Sequence, residues 1–410
     1  MIRGKTGKTR AWPMPNIRPA AARIMTRAAV IVAAGLAAAM AAAPALAAPA
    51  LAAPAPPASG TNPGPQWTQI APGGSHTCGI RAGGSLWCWG ANGSGQLGIG
   101  SLTDQDRPRQ VTTPDTFGWV SVTAGSSHTC ATRRNTTLWC WGDGQDRPQE
   151  ITSPAGGGWA SVTAGYGYTC AIRSNRTLWC WGGGQTPQQV TSPDRGGWAS
   201  VAPGDGFTCA IRAGGTLWCW GLNITGQLGI GTTANENLPT QVTSPAKGGW
   251  ASVSTGESHT CATRTDGTLW CWGWGDYGQL GIGDIDFVTL PVQEVTPARG
   301  GWASVTTGYA HTCATRVNRA LWCWGYNADG ELGLGFYSQG PGGAMGYPYP
   351  DQVTVPATGW LTVKAGESHT CGIRTGGSLW CTGNNSNGQL GAGNDPTQDL
   401  FQQVTWVGRA

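Results

Sequence analysis

The chain has 410 residues, of which only 11% are Asp, Glu, Lys or Arg, with 67 Gly, 23 Trp, 14 Cys and a formal net charge of +4. Seven of the 25 Lys and Arg fall in residues 1–47, which hold no acid, so the remainder carries 18 basic and 21 acidic residues and a net charge of −3. With no basic surplus to hold phosphates, nucleic acid is excluded as an expected partner.

In chain order, arginines and lysines come first, followed by the apolar run AAVIVAAGLAAAMAAAPALA, which ends in small residues. This is the pattern of a secretory signal peptide over residues 1–47, cleaved after Ala47 or Ala52. Met25 opens a leader of more ordinary length and is the alternative start. Gly35 and Pro44 interrupt the run, which argues against a permanent membrane anchor. No Arg-Arg pair precedes it, which favours the general secretory route. Residues 48–66 read as a flexible Pro/Ala-rich linker. The expected product is secreted and extracellular, a monomer with no membrane contact after cleavage.

Residues 67–410 repeat one pattern seven times. Each unit opens on a tryptophan, at Trp67, Trp119, Trp159, Trp198, Trp250, Trp302 and Trp360. A typical unit then reads WASVTAG, HTCATR, TLWCWG, GQLGIG and a short PxxV strand. All 14 cysteines fall in C-x9-C pairs: Cys78 with Cys88, Cys130 with Cys140, Cys170 with Cys180, Cys209 with Cys219, Cys261 with Cys271, Cys313 with Cys323 and Cys371 with Cys381. Zinc sites favour shorter spacings, so no metal is expected. HTCGIR and SLWCWG are short runs of β-formers around the turn material AGG. A three-residue loop over 82–84 makes Cys78 face Cys88, Gly79 face Trp87 and Thr77 face Trp89. The cysteines then lie within disulfide reach across the hairpin, and export supplies the oxidising compartment. Asn135, Asn175 and Asn318 stand in the turns of units two, three and six, where Asn tolerates left-handed backbone.

Units of this length, built from three or four short strands with no amphipathic helix, predict an all-β fold. The expected architecture is a seven-bladed β-propeller closed by the chain termini. The repeated tryptophans then pack between blades. His76, His128, His259, His311 and His369 hold one repeated position, where Tyr168 and Phe207 replace them, so packing or hydrogen bonding is expected rather than catalysis. An arginine recurs three residues after each first cysteine, from Arg81 to Arg374, and stacking on an indole is its expected role.

The pattern AGxxHTCAI…GTLWCWGxNxxGQLGxG…PxxV resembles the repeats of the regulator-of-chromosome-condensation family, over nearly the whole of residues 67–406. The resemblance implies seven-bladed propellers that bind partners, with the G-x-x-H loop contributing to partner-binding faces. The founding nuclear members exchange guanine nucleotide on a small GTPase and bind chromatin. Export and the charge of −3 argue against both roles here.

No phosphate loop, nucleophile elbow or H-E-x-x-H motif occurs, so no enzyme activity and no cofactor are expected. Asp284 and Asp286 form the nearest acidic cluster, with too few oxygens in sequence for a calcium shell. A binding site should lie where units differ within a fixed frame. The residue four before each first cysteine varies, and Tyr166, Asp205, Glu257, Tyr309 and Glu367 stand there as partner-binding candidates. Tyr337, Tyr347 and Tyr349, in the long insertion of unit six, form a second set. Units two and three lack the GQLGxG loop, which leaves a notch in the rim. The expected function is a secreted binding module for an unidentified extracellular protein. The alternatives are a lectin-like glycan binder, or a lyase or hydrolase with a site at the central channel.

Overall fold

The computed structural model describes residues 66–405, except 156–157, 183–184, 194–196, 247, 297–300, 338–345 and 394. The expected signal peptide, the linker up to residue 65, Met345 and Trp406 lie outside the described residues.

The first repeat forms four antiparallel strands, β1 (Trp67–Pro72), β2 (His76–Arg81), β3 (Leu86–Gly90) and β4 (Gln105–Gln110), hydrogen-bonded in sequence order. Each of the other six repeats makes the same four-stranded sheet, giving seven blades and no helix among the described residues. The register is the one the hairpin predicts: Cys78 pairs with Cys88, Gly79 with Trp87 and Thr77 with Trp89. All seven expected disulfides form, and each stays within one blade. Cys78 is bonded to Cys88, Cys130 to Cys140, Cys170 to Cys180 and Cys209 to Cys219. Cys261 is bonded to Cys271, Cys313 to Cys323 and Cys371 to Cys381, and in every pair the Cα atoms are 4.1 Å apart.

The turns of units two, three and six differ from expectation. The left-handed residue is not the asparagine but the one after it, at Thr136 (φ 64°), Arg176 (φ 63°) and Arg319 (φ 65°). The asparagine side chain instead accepts from the amide two residues on, as Asn318 Oδ1 does from Ala320 N at 3.1 Å.

The core lies between blades. Cys78, Cys88, Leu86 and Leu97 of the first blade pack on Trp119, Val122, Ala131 and Trp141 of the second. A blade alone would leave both apolar faces in water; stacking in a ring buries them. Each repeated arginine stacks on the opening tryptophan of its own blade, from Arg316 at 4.3 Å above Trp302 to Arg374 at 5.9 Å above Trp360. The five histidines each bridge to the threonine of the next blade, for example His76 Nε2 to Thr129 Oγ1 at 2.8 Å. Tyr168 makes the equivalent bridge to Thr208 at 2.7 Å.

The ends of the chain meet: Trp67, Ile70 and Trp89 of the first blade pack on Ile373, Leu379 and Leu390 of the seventh. His369 of that blade bonds Thr77 of the first at 2.8 Å. Closure is therefore blade against blade. The last strand, Gln398–Gln403, stays in its own sheet beside Leu379–Gly383 instead of joining the two ends.

Candidate functional site

The first strand of every blade faces the axis, where a channel of about 560 Å³ is lined almost wholly by Thr, Ser, Ala, Val and Pro. Lys364 is the one charged residue in that lining. It is open to the channel yet surrounded by protein, and burial lowers its ammonium below the ordinary lysine value. The equivalent residues in other units, such as Ala71, Thr123 and Ser254, are small and uncharged.

At one end of the channel the loops between first and second strands close in on each other. Gly74 N donates to Gly125 O at 3.0 Å, Tyr309 N to Glu367 O at 3.2 Å and Glu367 N to Gly73 O at 3.0 Å. Only glycine permits this approach: a Cβ on Gly366 would stand 2.4 Å from Gly73 O. The rigid girdle aims the variable residues at the channel mouth.

Tyr166, Asp205, Glu257, Tyr309 and Glu367 come together there. Burial pushes the Tyr166 phenol well above its usual value, and the charges of Glu367, Glu257 and Asp205, with Tyr309, push it further. Tyr166 thus feels groups from four other blades. The Glu367 carboxyl is raised by burial, opposed by the Ser126 hydroxyl that donates to it, and raised again by Asp205. Burial also raises Glu257, against the Tyr309 hydroxyl, and Asp205 and Glu367 add to the effect. Tyr309 is 40% exposed, with its phenol pushed up to about 12 by burial and by Glu257. The mouth therefore concentrates three carboxylates and two phenols, a surface suited to cationic and hydrogen-bonding groups of a partner.

Beside Tyr309 lies an aromatic row, with Trp274 to Tyr277 at 5.1 Å and Tyr277 to Tyr326 at 5.0 Å between ring centres. All three are half-buried. Sequence reasoning missed this row, although Trp274 was legible as one of two tryptophans in residues 67–410 that stand outside the repeated positions. Ser126 holds the same variable position in unit two, four residues before Cys130. Sequence reasoning also missed Lys364, which could have been found from WLTVKAG, set against WASVTAG.

The unit-six tyrosines do not join the mouth. Tyr337 is 49% exposed and its hydroxyl donates to Thr397 O at 3.0 Å. Tyr347 and Tyr349 belong to the outer strand Gly346–Gln352. Tyr347 is half-buried against Phe336 at 5.1 Å, and Tyr349 is 56% exposed. Among the described residues no group of three or more His, Cys, Asp or Glu is arranged to hold a metal ion.

Seven four-stranded blades closed in a ring define a seven-bladed β-propeller. Profiles for the regulator of chromosome condensation (RCC1) repeat match residues 67–96, 119–146, 159–185, 198–227, 250–279, 302–331 and 361–389. A second profile for the repeat matches 83–132, 214–263 and 266–315. The chain belongs to the RCC1 repeat family. It is similar to the ultraviolet-B receptor UVR8 of Arabidopsis thaliana, 27% identical over 339 residues, which span 82% of this chain and 69% of that one. It is also similar to the mitochondrial RCC1 domain-containing protein RUG3 of Arabidopsis thaliana, 30% identical over 150 residues, which span 35% of this chain and 32% of RUG3. The crystal structure of Prp20p from Saccharomyces cerevisiae, reported with its binding to Gsp1p and histones, superposes with a TM-score of 0.69 at 19% identity. That match covers 83% of this chain and 88% of Prp20p. The likeness shows the shared fold.

Proposed function

We propose that the chain is an exported, disulfide-stapled propeller that binds a protein partner on the channel-mouth face. The observation that carries this reading is the convergence of Tyr166, Asp205, Glu257, Tyr309 and Glu367, from five blades, on one girdle. Seven intrablade disulfides support an oxidising, extracellular setting. Binding of Gsp1p and histones by Prp20p supports a protein as the ligand class. Aromatic side chains give large contact area at low entropic cost, so Tyr309 and the row beside it are the expected anchors, with the carboxylates selecting a partner that presents Lys or Arg.

The test is capture of partners from culture medium by the tagged protein, followed by affinity measurement. Tyr166, Glu257, Tyr309 and Glu367 changed together to Ala should weaken binding by about 30-fold or more, since truncating a few anchors commonly costs about 2 kcal/mol or more. Thermal unfolding should be little changed. Full affinity in this variant, with loss in a Tyr337, Tyr347 and Tyr349 variant, would move the site to the unit-six insertion.

A further inference from the structure

At five of the seven blade junctions the gap is filled by the loop of the preceding blade. The central carbonyl of that loop takes bonds from the next blade. Gln96 O accepts from Thr129 Oγ1 at 2.8 Å and Trp141 Nε1 at 2.9 Å; Gln227 O accepts from Thr260 and Trp272, both at 2.9 Å. Gln279 O and Gln389 O are bound the same way, and Glu331 O by Thr370 at 2.8 Å. The next residue is always leucine, between 0% and 1% exposed. Then comes a glycine, pressed on the tryptophan at four of the five and on Phe401 at the fifth: a Cβ on Gly98 would stand 2.6 Å from Trp141 Nε1, and one on Gly333 2.4 Å from the Phe401 ring.

The junction between the second and third blades has no such loop. The second blade turns back through Asp143 (φ 50°) and Gly144 (φ 97°). A cavity of about 550 Å³ opens there, lined among others by Cys130, Cys140, Ile151, Thr169 and Trp181. Cys140 and Trp181 are half-buried, whereas Cys88 and Trp89 in the first blade are 0% exposed. Trp181 Nε1 has no acceptor among the described residues. Among those residues, Thr169 Oγ1 has only His128 Nε2 at 2.9 Å and the Cys130 sulfur at 3.7 Å. Both donors that grip a carbonyl elsewhere are in place, and the carbonyl is missing.

We propose that this slot is a docking site for a tight turn of sequence x-Leu-Gly presented by a partner protein. Its carbonyl would take the bonds of Thr169 and Trp181, its leucine would cover the Cys130–Cys140 disulfide, and its glycine would lie on the Trp181 indole. A second copy of this chain cannot supply the turn, because its five such loops are buried in their own junctions. The filled junctions show where the slot opens: Ala91 N, at the start of the filling loop, bonds Ser75 O in the girdle at 2.8 Å. The slot therefore lies on the channel-mouth face, and the proposal deepens the reading of that face as the partner surface.

The probe is a cyclic peptide of sequence ANGSGQLGIG, copied from residues 91–100 and labelled for fluorescence anisotropy. It should bind saturably and should slow phosphine reduction of Cys130–Cys140, read by peptide mass spectrometry. W181F keeps a ring but loses the N–H, and should weaken peptide binding about tenfold, the worth of a hydrogen bond of about 1.4 kcal/mol. A peptide with Leu changed to Asp should not bind. No saturable binding up to millimolar peptide, equal affinity of W181F, or an oligosaccharide competing in its place would overturn the proposal. These outcomes do not depend on the mouth residues. Conversely, if the four-alanine mouth variant still binds peptide normally but loses the captured partner, both readings stand; if it keeps the partner, only the mouth reading fails.

Discussion

Glu331 stands where four other units carry Gln96, Gln227, Gln279 and Gln389. It is 1% exposed, and its carboxyl takes over the glutamine's bond: Oε2 accepts from Asp329 N at 3.0 Å, as Gln96 Oε1 does from Ser94 N at 2.9 Å. Burial pushes this carboxyl from 4.5 up to about 8, with the Asp329 charge adding and backbone bonds opposing. The folded state therefore keeps the proton after the unfolded state has lost it. The stability tied to it is complete below pH 4.5 and is lost as pH rises from there through about 8. E331Q should match the parent near pH 4 and exceed it at pH 8 by up to about 4–5 kcal/mol, since each tenfold difference in proton affinity between the folded and unfolded chain is worth about 1.4 kcal/mol. Denaturant midpoints at the two pH values check this. Parallel pH profiles for parent and variant would contradict it. His76, His259, His311 and His369, lowered to about 3 chiefly by burial, lose stability as pH falls below 6.5, but they do so in parent and variant alike.

Within the blades, the seventh shows a repair across strands. In the first six blades the opening tryptophan packs on the second tryptophan of the LWCW strand, as Trp67 does on Trp89 at 5.6 Å. The seventh has Thr382 there, and Phe401 from the outer strand packs on Trp360 at 4.7 Å instead. Phe401 occupies the position held by Pro108 and Pro148 in the first two blades. F401A should cost about 3 kcal/mol or more, as a large cavity does. T382W alone should crowd Phe401 and lower the melting temperature, and T382W with F401P should recover most of the loss; additive losses would contradict the pairing. The sequence carried most of the element-level structure, because a strict C-x9-C spacing fixes hairpin register, and register fixes which faces bury. It did not carry the Phe401 repair, since the two residues lie on different strands and neither follows the repeat. Nor did it place the left-handed residue in the asparagine turns, because Asn318 can either adopt that backbone or cap it, and the choice depends on the turn's hydrogen bonds.

At the scale of the ring, seven copies of one loop become a single surface only because the chain closes on itself. That surface was partly legible: the variable position before each histidine named Tyr166, Asp205, Glu257, Tyr309 and Glu367, and closure alone brings them within electrostatic reach of one another. The Trp274–Tyr277–Tyr326 row was not legible, because it joins residues from two blades that touch only after folding. The notch of units two and three could be read as missing letters. Its chemistry lies in the folded geometry alone: Trp141 and Trp272 each donate to a loop carbonyl, and Trp181 has none among the described residues. That partners meet this molecule on the channel-mouth face is tested most directly by photo-crosslinking in cells that make the protein. A benzophenone amino acid is placed at Tyr309 on the mouth face or at Arg134, in a hairpin turn at the opposite end, and adducts are identified by mass spectrometry. Position 309 should capture a specific protein and position 134 should not; specific capture from position 134 with none from position 309 would contradict the mouth face as the partner surface.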